Sequence, residues 1–267
     1  MSRRDVKRLK LKQMLIGLVR MYGEPKPLRI ARGAGLETLI EAMLSQNTNM
    51  INATRGYRML RRRFRSWSQV MAADVGEVQR EIAICGLARM RARRLQNLLR
   101  VVKARHGKLS IDHLANETVD SGFEYLTSFF GIGPKTAAFT LLFGFGLAVL
   151  PVDNGVLRVL RRLRLVRPKA RDLEAERVLS PLIQQGRHYA THILLFRHAK
   201  ERCRPRNPKC RECALLKMCP FGQRRVRHRP TEKEEVVEQF KRSRRKRELA
   251  SFASAGLAKH ERDPDDV

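Results

Sequence analysis

The chain has 267 residues, of which 43% are hydrophobic, so it can bury the core of one large domain or two small ones. Its formal net charge of +30 indicates a polyanionic partner, such as the nucleic acid bound by a chromatin-like protein or an enzyme. The basic residues are not gathered on one amphipathic segment, which disfavours a membrane-surface protein. No apolar run approaches the ~20 residues that cross a bilayer, and no signal-peptide cleavage site is found, so we expect no membrane contact and a cytoplasmic location.

The predicted secondary structure is almost wholly helical. Apolar residues recur at every third or fourth position, the spacing of one helix face, and strand-like alternation is absent. The helical segments are, in chain order, 6–18, 36–44, 78–84, 95–102, 136–147, 156–165 and 189–196. Asp74 and Glu77 predict a capping box before the third segment. Short connections with Gly or Pro join the segments, so the pattern predicts an all-α protein.

Two of the predicted helices begin next to a charged residue. In FFGIGPKTAAF, residues 129–139, two glycines precede a helix whose first turn contains Lys135. Such glycines allow backbone N–H groups to approach a phosphate closely, and the positive end of the helix dipole favours a free, nucleophilic amine. Eighteen residues later, Asp153 begins a helix in VLPVDNGVLRVL, where it could cap the helix and stabilise a positive charge. Taken singly, these features are also typical of an ordinary turn, a surface lysine and an N-cap.

Four of the five cysteines lie within seventeen residues near the end of the chain. They have the spacing C-x6-C-x2-C-x5-C and are Cys203, Cys210, Cys213 and Cys219. Four thiols in one short loop indicate a metal centre rather than disulfides, and both zinc and iron–sulfur clusters are held by four cysteines. A zinc ribbon usually has two C-x2-C pairs, so the uneven spacing favours an iron–sulfur cluster and leaves zinc as the alternative.

The glycine turn with its lysine, the downstream PVDNGVLRV and the cysteine spacing together resemble the endonuclease III family of helix-hairpin-helix DNA glycosylases. The resemblance covers about residues 36–221 and is specific, because three separated motifs agree in order and spacing. It implies two helical domains flanking a DNA-binding cleft and a [4Fe–4S] cluster on the four cysteines. It also implies that the protein acts as a monomer on double-stranded DNA containing damaged bases or abasic sites.

The resemblance implies roles for the residues of the first two motifs. Gly131, Ile132 and Gly133 are the DNA-binding hairpin. Lys135 matches the lysine that attacks C1′ of the sugar and forms a Schiff base. Asp153 matches the aspartate that stabilises the positive charge on the sugar as the base leaves.

Two further residues match positions that act when a base is flipped out of the duplex. Gln46, in LSQNTN, would fill the gap opposite the flipped base, and its alternative is a hydrogen bond at a helix end. Leu87, in CGLARMRA, would wedge into the base stack, and its alternative is packing in the core.

The sequence departs from the family at two places. Asn154-Gly155 stands where the family usually has Thr-His, and this pair is closer to the adenine glycosylase branch. Phe129-Phe130 stands where the family usually has Leu-Pro. That branch lacks the lysine. The resemblance to endonuclease III implies, as the favoured function, base excision of oxidised pyrimidines with AP-lyase action. The alternatives are a glycosylase for another lesion or mismatch, and a DNA-binding paralogue with weak or no catalysis.

The expected domain organisation follows from these assignments. Residues 29–147 form a helical barrel domain that contains the hairpin. Residues 148–222 form the cluster domain, which the N-terminal helix of residues 1–28 joins. Residues 223–267 alternate between basic and acidic runs and are predicted to be a tail, with at most one helix.

Overall fold

The structure is a computed structural model and describes residues 2–31 and 33–227. This part of the chain is all-α, without a β-strand, as predicted. Its helices are α1 (Arg3–Tyr22), α2 (Ala34–Leu44), α3 (Met50–Arg63), α4 (Trp67–Ala72), α5 (Val75–Glu81), α6 (Ala88–His106), α7 (Val119–Thr127), α8 (Pro134–Phe145), α9 (Asn154–Arg162), α10 (Asp172–Leu179), α11 (His188–Glu201) and α12 (Pro220–Arg227). Short 3₁₀ turns lie at Ala83–Cys85, Asp112–Asn116, Ser180–Leu182 and Leu216–Met218.

The predicted helical segments all coincide with helices, and the differences lie at the ends. Helix α8 ends at Phe145 because Gly146 adopts a left-handed conformation, and Arg164 does the same two residues after α9. The predicted capping box is wrong. Asp74 caps α5 through the N–H of Gly76 at 2.7 Å, whereas the carboxylate of Glu77 accepts a hydrogen bond from Arg63 at 3.2 Å.

The buried apolar side chains form two clusters. The first cluster extends from α2 to α8 and ends at Val149. The second combines α9, α10, α11 and the cysteine loop with α1, whose Leu11, Met14 and Leu18 are almost completely buried. We propose that the two clusters are the cores of the two predicted domains. Residues 2–31 and 33–222 belong to one compact unit.

Close packing of α2 against α8 fixes the position of the hairpin. A Cβ on Gly144 would lie 3.0 Å from the Cα of Gly35, so the two backbones approach each other closely. A Cβ on Gly35 would overlap the ring of Phe145. Replacing Gly35 by alanine would therefore force this ring to move, at a cost of about 1–3 kcal/mol for overpacking.

No helix within residues 2–31 and 33–227 is long and apolar enough to cross a bilayer. The cellular location stays a prediction. Most of the predicted tail, residues 228–267, lies outside the described residues.

Candidate active site and metal centre

The hairpin connects α7 to α8, and its three residues play different parts. Gly131 has a φ of +83°, a conformation that side chains other than glycine rarely adopt. Ile132 is 5% exposed and packs in the first core, so it can contact DNA only through its backbone. Gly133 is exposed and has an ordinary φ of −94°, and no described atom lies within 4 Å of a Cβ built on it. The space in front of α8 is therefore open.

Helix α8 begins without a side-chain cap among the described residues. Its first-turn N–H groups have no acceptor within the helix, and Pro134 at the first position lacks an N–H. An uncapped helix start behind an open glycine turn can bind an anion such as a phosphate.

Gln46 braces the hairpin from the neighbouring α2–α3 connection. Its side-chain amide donates to the carbonyl of Gly131 at 2.9 Å and to the hydroxyl of Thr136 at 3.2 Å. Its backbone carbonyl accepts from Arg91. The side chain thus makes hydrogen bonds at the start of α8, as its alternative reading predicts, and its role opposite a flipped base stays a prediction.

Arg91 was missed by sequence reasoning. It is 4% exposed and donates to the carbonyls of Met43 at 2.9 Å and Gly86 at 2.8 Å, besides that of Gln46. The side chain therefore joins the end of α2 to the loop that precedes α6. Nothing in the sequence distinguishes Arg91 from the many arginines around it.

Leu87 lies at the start of α6 in a strained and exposed position. Its φ is +50°, which is rare for leucine, and 62% of its surface is exposed. Core packing, the alternative reading of Leu87, is wrong. Strained residues that the surrounding structure holds in place are common at functional sites, and Arg91 holds the preceding Gly86 here.

Lys135 and Asp153 both lie near one buried histidine. Lys135 is exposed at the second position of α8, and Asp153 is partly buried and caps α9 through the N–H of Val156 at 2.6 Å. His192 on α11 is 6% exposed and donates from Nδ1 to the carbonyl of Pro151 at 2.9 Å. Burial lowers the pKa of His192, the charge of Asp153 raises it, and that of Lys135 lowers it further. The charges of both predicted catalytic residues therefore act on the ring of His192.

The departure Asn154-Gly155 has a packing reason. A Cβ on Gly155 would lie 3.0 Å from the Cβ of Ala199 on α11 and 3.1 Å from Oδ1 of Asp153. Glycine thus allows α9 to pack closely on α11 and leaves the carboxylate of Asp153 uncrowded. Arg158 then joins α9 to the end of α11 by donating to the carbonyls of Ala199 at 3.0 Å and Cys203 at 2.8 Å.

A row of partly buried aromatic rings lies beside these charged residues. Phe139, one helical turn after Lys135, stacks on Phe143 at 4.2 Å between ring centroids. Phe143 in turn meets Tyr189 and His192 edge to face, at 5.5 and 5.4 Å. Aromatic faces of this kind can stack with planar bases.

The four cysteines of the loop all line one cavity below α9 and α11. None of them forms a disulfide within the described structure. Hydrogen bonds reach their sulfurs: Sγ of Cys203 accepts from Arg162 at 3.2 Å, and Sγ of Cys219 accepts from the N–H of Gly222 at 3.3 Å. Sγ of Cys213 lies 3.7 Å from Nε2 of His198. Such donors stabilise thiolates, which are the ligand form of cysteine.

The other three cysteines also lie near enough to Cys213 to affect its pKa. Burial raises the pKa of Cys213 to about 11, and the charges of the other three cysteines act in the same direction. Within residues 2–31 and 33–227, no group of three or more His, Cys, Asp or Glu side chains is arranged to hold a metal ion. The donor set of four thiols lining one cavity nevertheless suits an iron–sulfur cluster, whose ligands are cysteine thiolates.

Residues 40–185 match the HhH-GPD superfamily base excision DNA repair protein family. The chain belongs to this superfamily. It is 29% identical over 189 residues to endonuclease III of Bacillus subtilis, covering 71% of this chain and 82% of that protein. It is 30% identical over 166 residues to a putative DNA glycosylase of Arabidopsis thaliana, covering 62% of this chain but only 56% of the plant protein.

Solved structures show the same fold. A trapped endonuclease III–DNA covalent intermediate aligns with a TM-score of 0.68 at 25% identity, over 85% of this chain and 100% of that one. A non-covalent endonuclease III–DNA complex aligns with a TM-score of 0.70 at 24% identity, over 83% and 99%. The resemblance found in the sequence is thus confirmed. The chain is an endonuclease III-like DNA glycosylase of base excision repair, and DNA is its partner.

Proposed function

We propose that the protein is a bifunctional glycosylase and AP lyase that acts as a monomer on damaged bases in double-stranded DNA. The observation that carries this proposal is the exposed amine of Lys135 at the uncapped start of α8, directly behind the open hairpin. An amine nucleophile and a carboxylate beside one nucleotide are the groups that this chemistry needs.

Lys135 is the proposed nucleophile. Its amine attacks C1′ of the damaged nucleotide, and the bond from C1′ to the base breaks, so that the base leaves with the bonding electron pair and gains a proton. Opening of the sugar ring then gives an imine between Lys135 and C1′. Loss of a proton from C2′ expels the 3′ phosphate and nicks the strand. The exposure of Lys135 supports this role, because a nucleotide can reach the amine without rearrangement of α8.

Asp153 is proposed to stabilise the positive charge that develops on the sugar as the base leaves. Its Oδ1 accepts the hydrogen bond from Val156, which fixes the side chain and leaves Oδ2 for the substrate. Gly155 supports this role by keeping the space next to the carboxylate free of a side chain.

The hairpin and two neighbouring residues are proposed to hold the distorted duplex. Gly131 and Gly133 admit a phosphate to the start of α8, while Gln46 fills the gap opposite the flipped base and Leu87 enters the stack. For Gln46 this requires its amide to exchange the hydrogen bond to Gly131 for one to a base.

We further propose that Cys203, Cys210, Cys213 and Cys219 hold a [4Fe–4S] cluster. When bound, the cluster supplies a covalent cross-link that orders the loop after α11. Arg162 supports this assignment, because it donates to the sulfur of Cys203 and to the carbonyl of Arg204 at 2.9 Å. The cysteines lie outside the hairpin and the start of α9, so we propose a structural cluster.

Oxidised pyrimidines are the proposed substrates, which are also the substrates favoured by the sequence analysis. The aromatic row on α8 and α11 favours a second candidate, another lesion or mismatch in which the base stays planar. Pyrimidines whose ring is saturated by oxidation are not flat and stack less well on Phe139 and Phe143. The two candidates differ in the shape of the base and share the chemistry of Lys135.

A panel of duplexes, each with one lesion, separates these candidates. We expect base release from a duplex with a saturated pyrimidine and none from the undamaged duplex, with Lys135→Gln as the inactive control. Faster release of a planar mismatched or modified base would favour the second candidate. Release of no base by the wild-type protein would contradict both.

A further inference from the structure

Five large apolar side chains are exposed on three segments around Gln46. The two most exposed are Ile51, with 79% of its surface accessible, and Phe130, with 73%. The complete set is Met50, Ile51, Leu87, Met90 and Phe130. Large apolar side chains exposed on neighbouring segments usually mark a binding surface.

Hydrogen bonds hold these three segments together. Gln46 joins the α2–α3 connection to the hairpin through Gly131, and Arg91 joins it to the loop that bears Leu87. The thiol of Cys85 also donates to the carbonyl of Asn52, in the first turn of α3, at 3.5 Å. The exposed apolar residues therefore project from one braced region.

The charge of the same region fits DNA. Exposed arginines lie between the apolar residues, on α3 and α6: Arg55, Arg58, Arg89 and Arg93. Residues 42–73, 82–111 and 125–152 contain no aspartate or glutamate. A surface that is both apolar and free of negative charge suits a polyanion with exposed apolar faces, and an opened duplex presents such faces on its unpaired bases.

We propose that Ile51, with its neighbour Met50, is a second apolar wedge that contacts the bases left unpaired at the damaged site. Ile51 lies at the second position of α3, so its side chain projects from the start of the helix beside the braced region. Filling the stack with a second side chain offsets part of the cost of unpairing and unstacking the bases. The inference rests on the proposed function and identifies a residue that distinguishes damaged from intact DNA.

The experiment compares Ile51→Ala with Ile16→Ala in the full chain. Ile16 is 43% exposed on α1, which belongs to the second core and lies outside the braced region. Affinity is measured by fluorescence anisotropy, at one salt concentration, for a duplex with a tetrahydrofuran abasic analogue and for the same duplex without it. A 2-aminopurine next to the analogue reports unstacking.

Ile51→Ala should lower the preference for the abasic duplex by about 10-fold, the effect of losing one buried aliphatic side chain, and should reduce the 2-aminopurine signal. Ile16→Ala should keep both within about two-fold of wild type, the usual range for surface substitutions. Ile51→Met, which keeps an apolar side chain, should restore most of the preference. An unchanged preference in Ile51→Ala would overturn the wedge while leaving the proposed function intact. A wild-type protein that binds both duplexes equally would overturn both.

Discussion

Gly133→Ala tests whether a phosphate approaches the hairpin backbone. In the protein itself the substitution has room, because the φ of Gly133 suits alanine and no described atom lies within 4 Å of the new Cβ. Alanine is a poorer N-cap than glycine by about 0.5–1 kcal/mol, but it restricts the unfolded chain by a similar amount. We therefore expect the free energy of unfolding to change by less than about 1 kcal/mol.

The same Cβ would occupy the place proposed for the phosphate. Losing one hydrogen bond to a charged group costs about 1.5–3 kcal/mol, so affinity for duplex DNA should fall about 10- to 100-fold. Urea unfolding and fluorescence anisotropy measure the two effects. Gly131→Ala is the comparison, since its φ of +83° and a Cβ 3.3 Å from Arg94 predict a loss of stability as well. If Gly133→Ala bound DNA as wild type does, the hairpin would not bind phosphate in this way.

Three further predictions concern charge, the cysteines and pH. Asp153→Asn keeps the cap on α9 but loses the negative charge, so base release should slow by about 100-fold or more. Nicking at pre-formed abasic sites should slow less. Equal losses in the two assays would place Asp153 in the lyase step too. Cys210→Ala should lower the iron content and the folding yield. Cys85→Ala, a change in the first core, should leave the iron content unchanged. Colourless wild-type protein with stoichiometric zinc would contradict the iron–sulfur cluster. Burial lowers the pKa of His188 below its usual 6.5. Below pH 6.5 the unfolded chain therefore binds a proton at this histidine that the folded chain does not bind. The free energy of unfolding should fall as the pH is lowered below 6.5. His188→Gln keeps a donor for the carbonyl of Ser180 and should flatten this dependence in urea unfolding; the same slope as wild type would assign it to other groups.

Much of the helical architecture could be predicted because apolar periodicity follows directly from burial of one helix face. Helices α3, α4, α7, α10 and α12 were not among the predicted segments. Helix α3 contains five arginines, so its apolar stripe is narrow, and α4 has only six residues. Their positions depend on tertiary packing, such as the contact of Gly56 with Cys85, which a local pattern does not contain.

The candidate site was predictable where a motif fixes local geometry, and less so where distant segments meet. Lys135 and Asp153 could be named from helix starts, although the effect of both charges on His192 depends on the packing of α11. The roles of the buried Arg91 and of the aromatic row also depend on packing between distant segments, so they could not be predicted from the sequence. The reading of Leu87 was left between core and surface, because a single leucine in a loop fits both and only its exposure decides.

Covalent trapping on abasic DNA tests most directly whether Lys135 is the nucleophile. Wild-type protein is mixed with a duplex containing one abasic site in the presence of sodium borohydride, and the adduct is mapped by peptide mass spectrometry. We expect a protein–DNA adduct at Lys135, present in Asp153→Asn and absent in Lys135→Gln, with Lys169→Gln as the control for loss of one exposed lysine. No adduct with any abasic duplex, or an adduct that persists in Lys135→Gln, would contradict it.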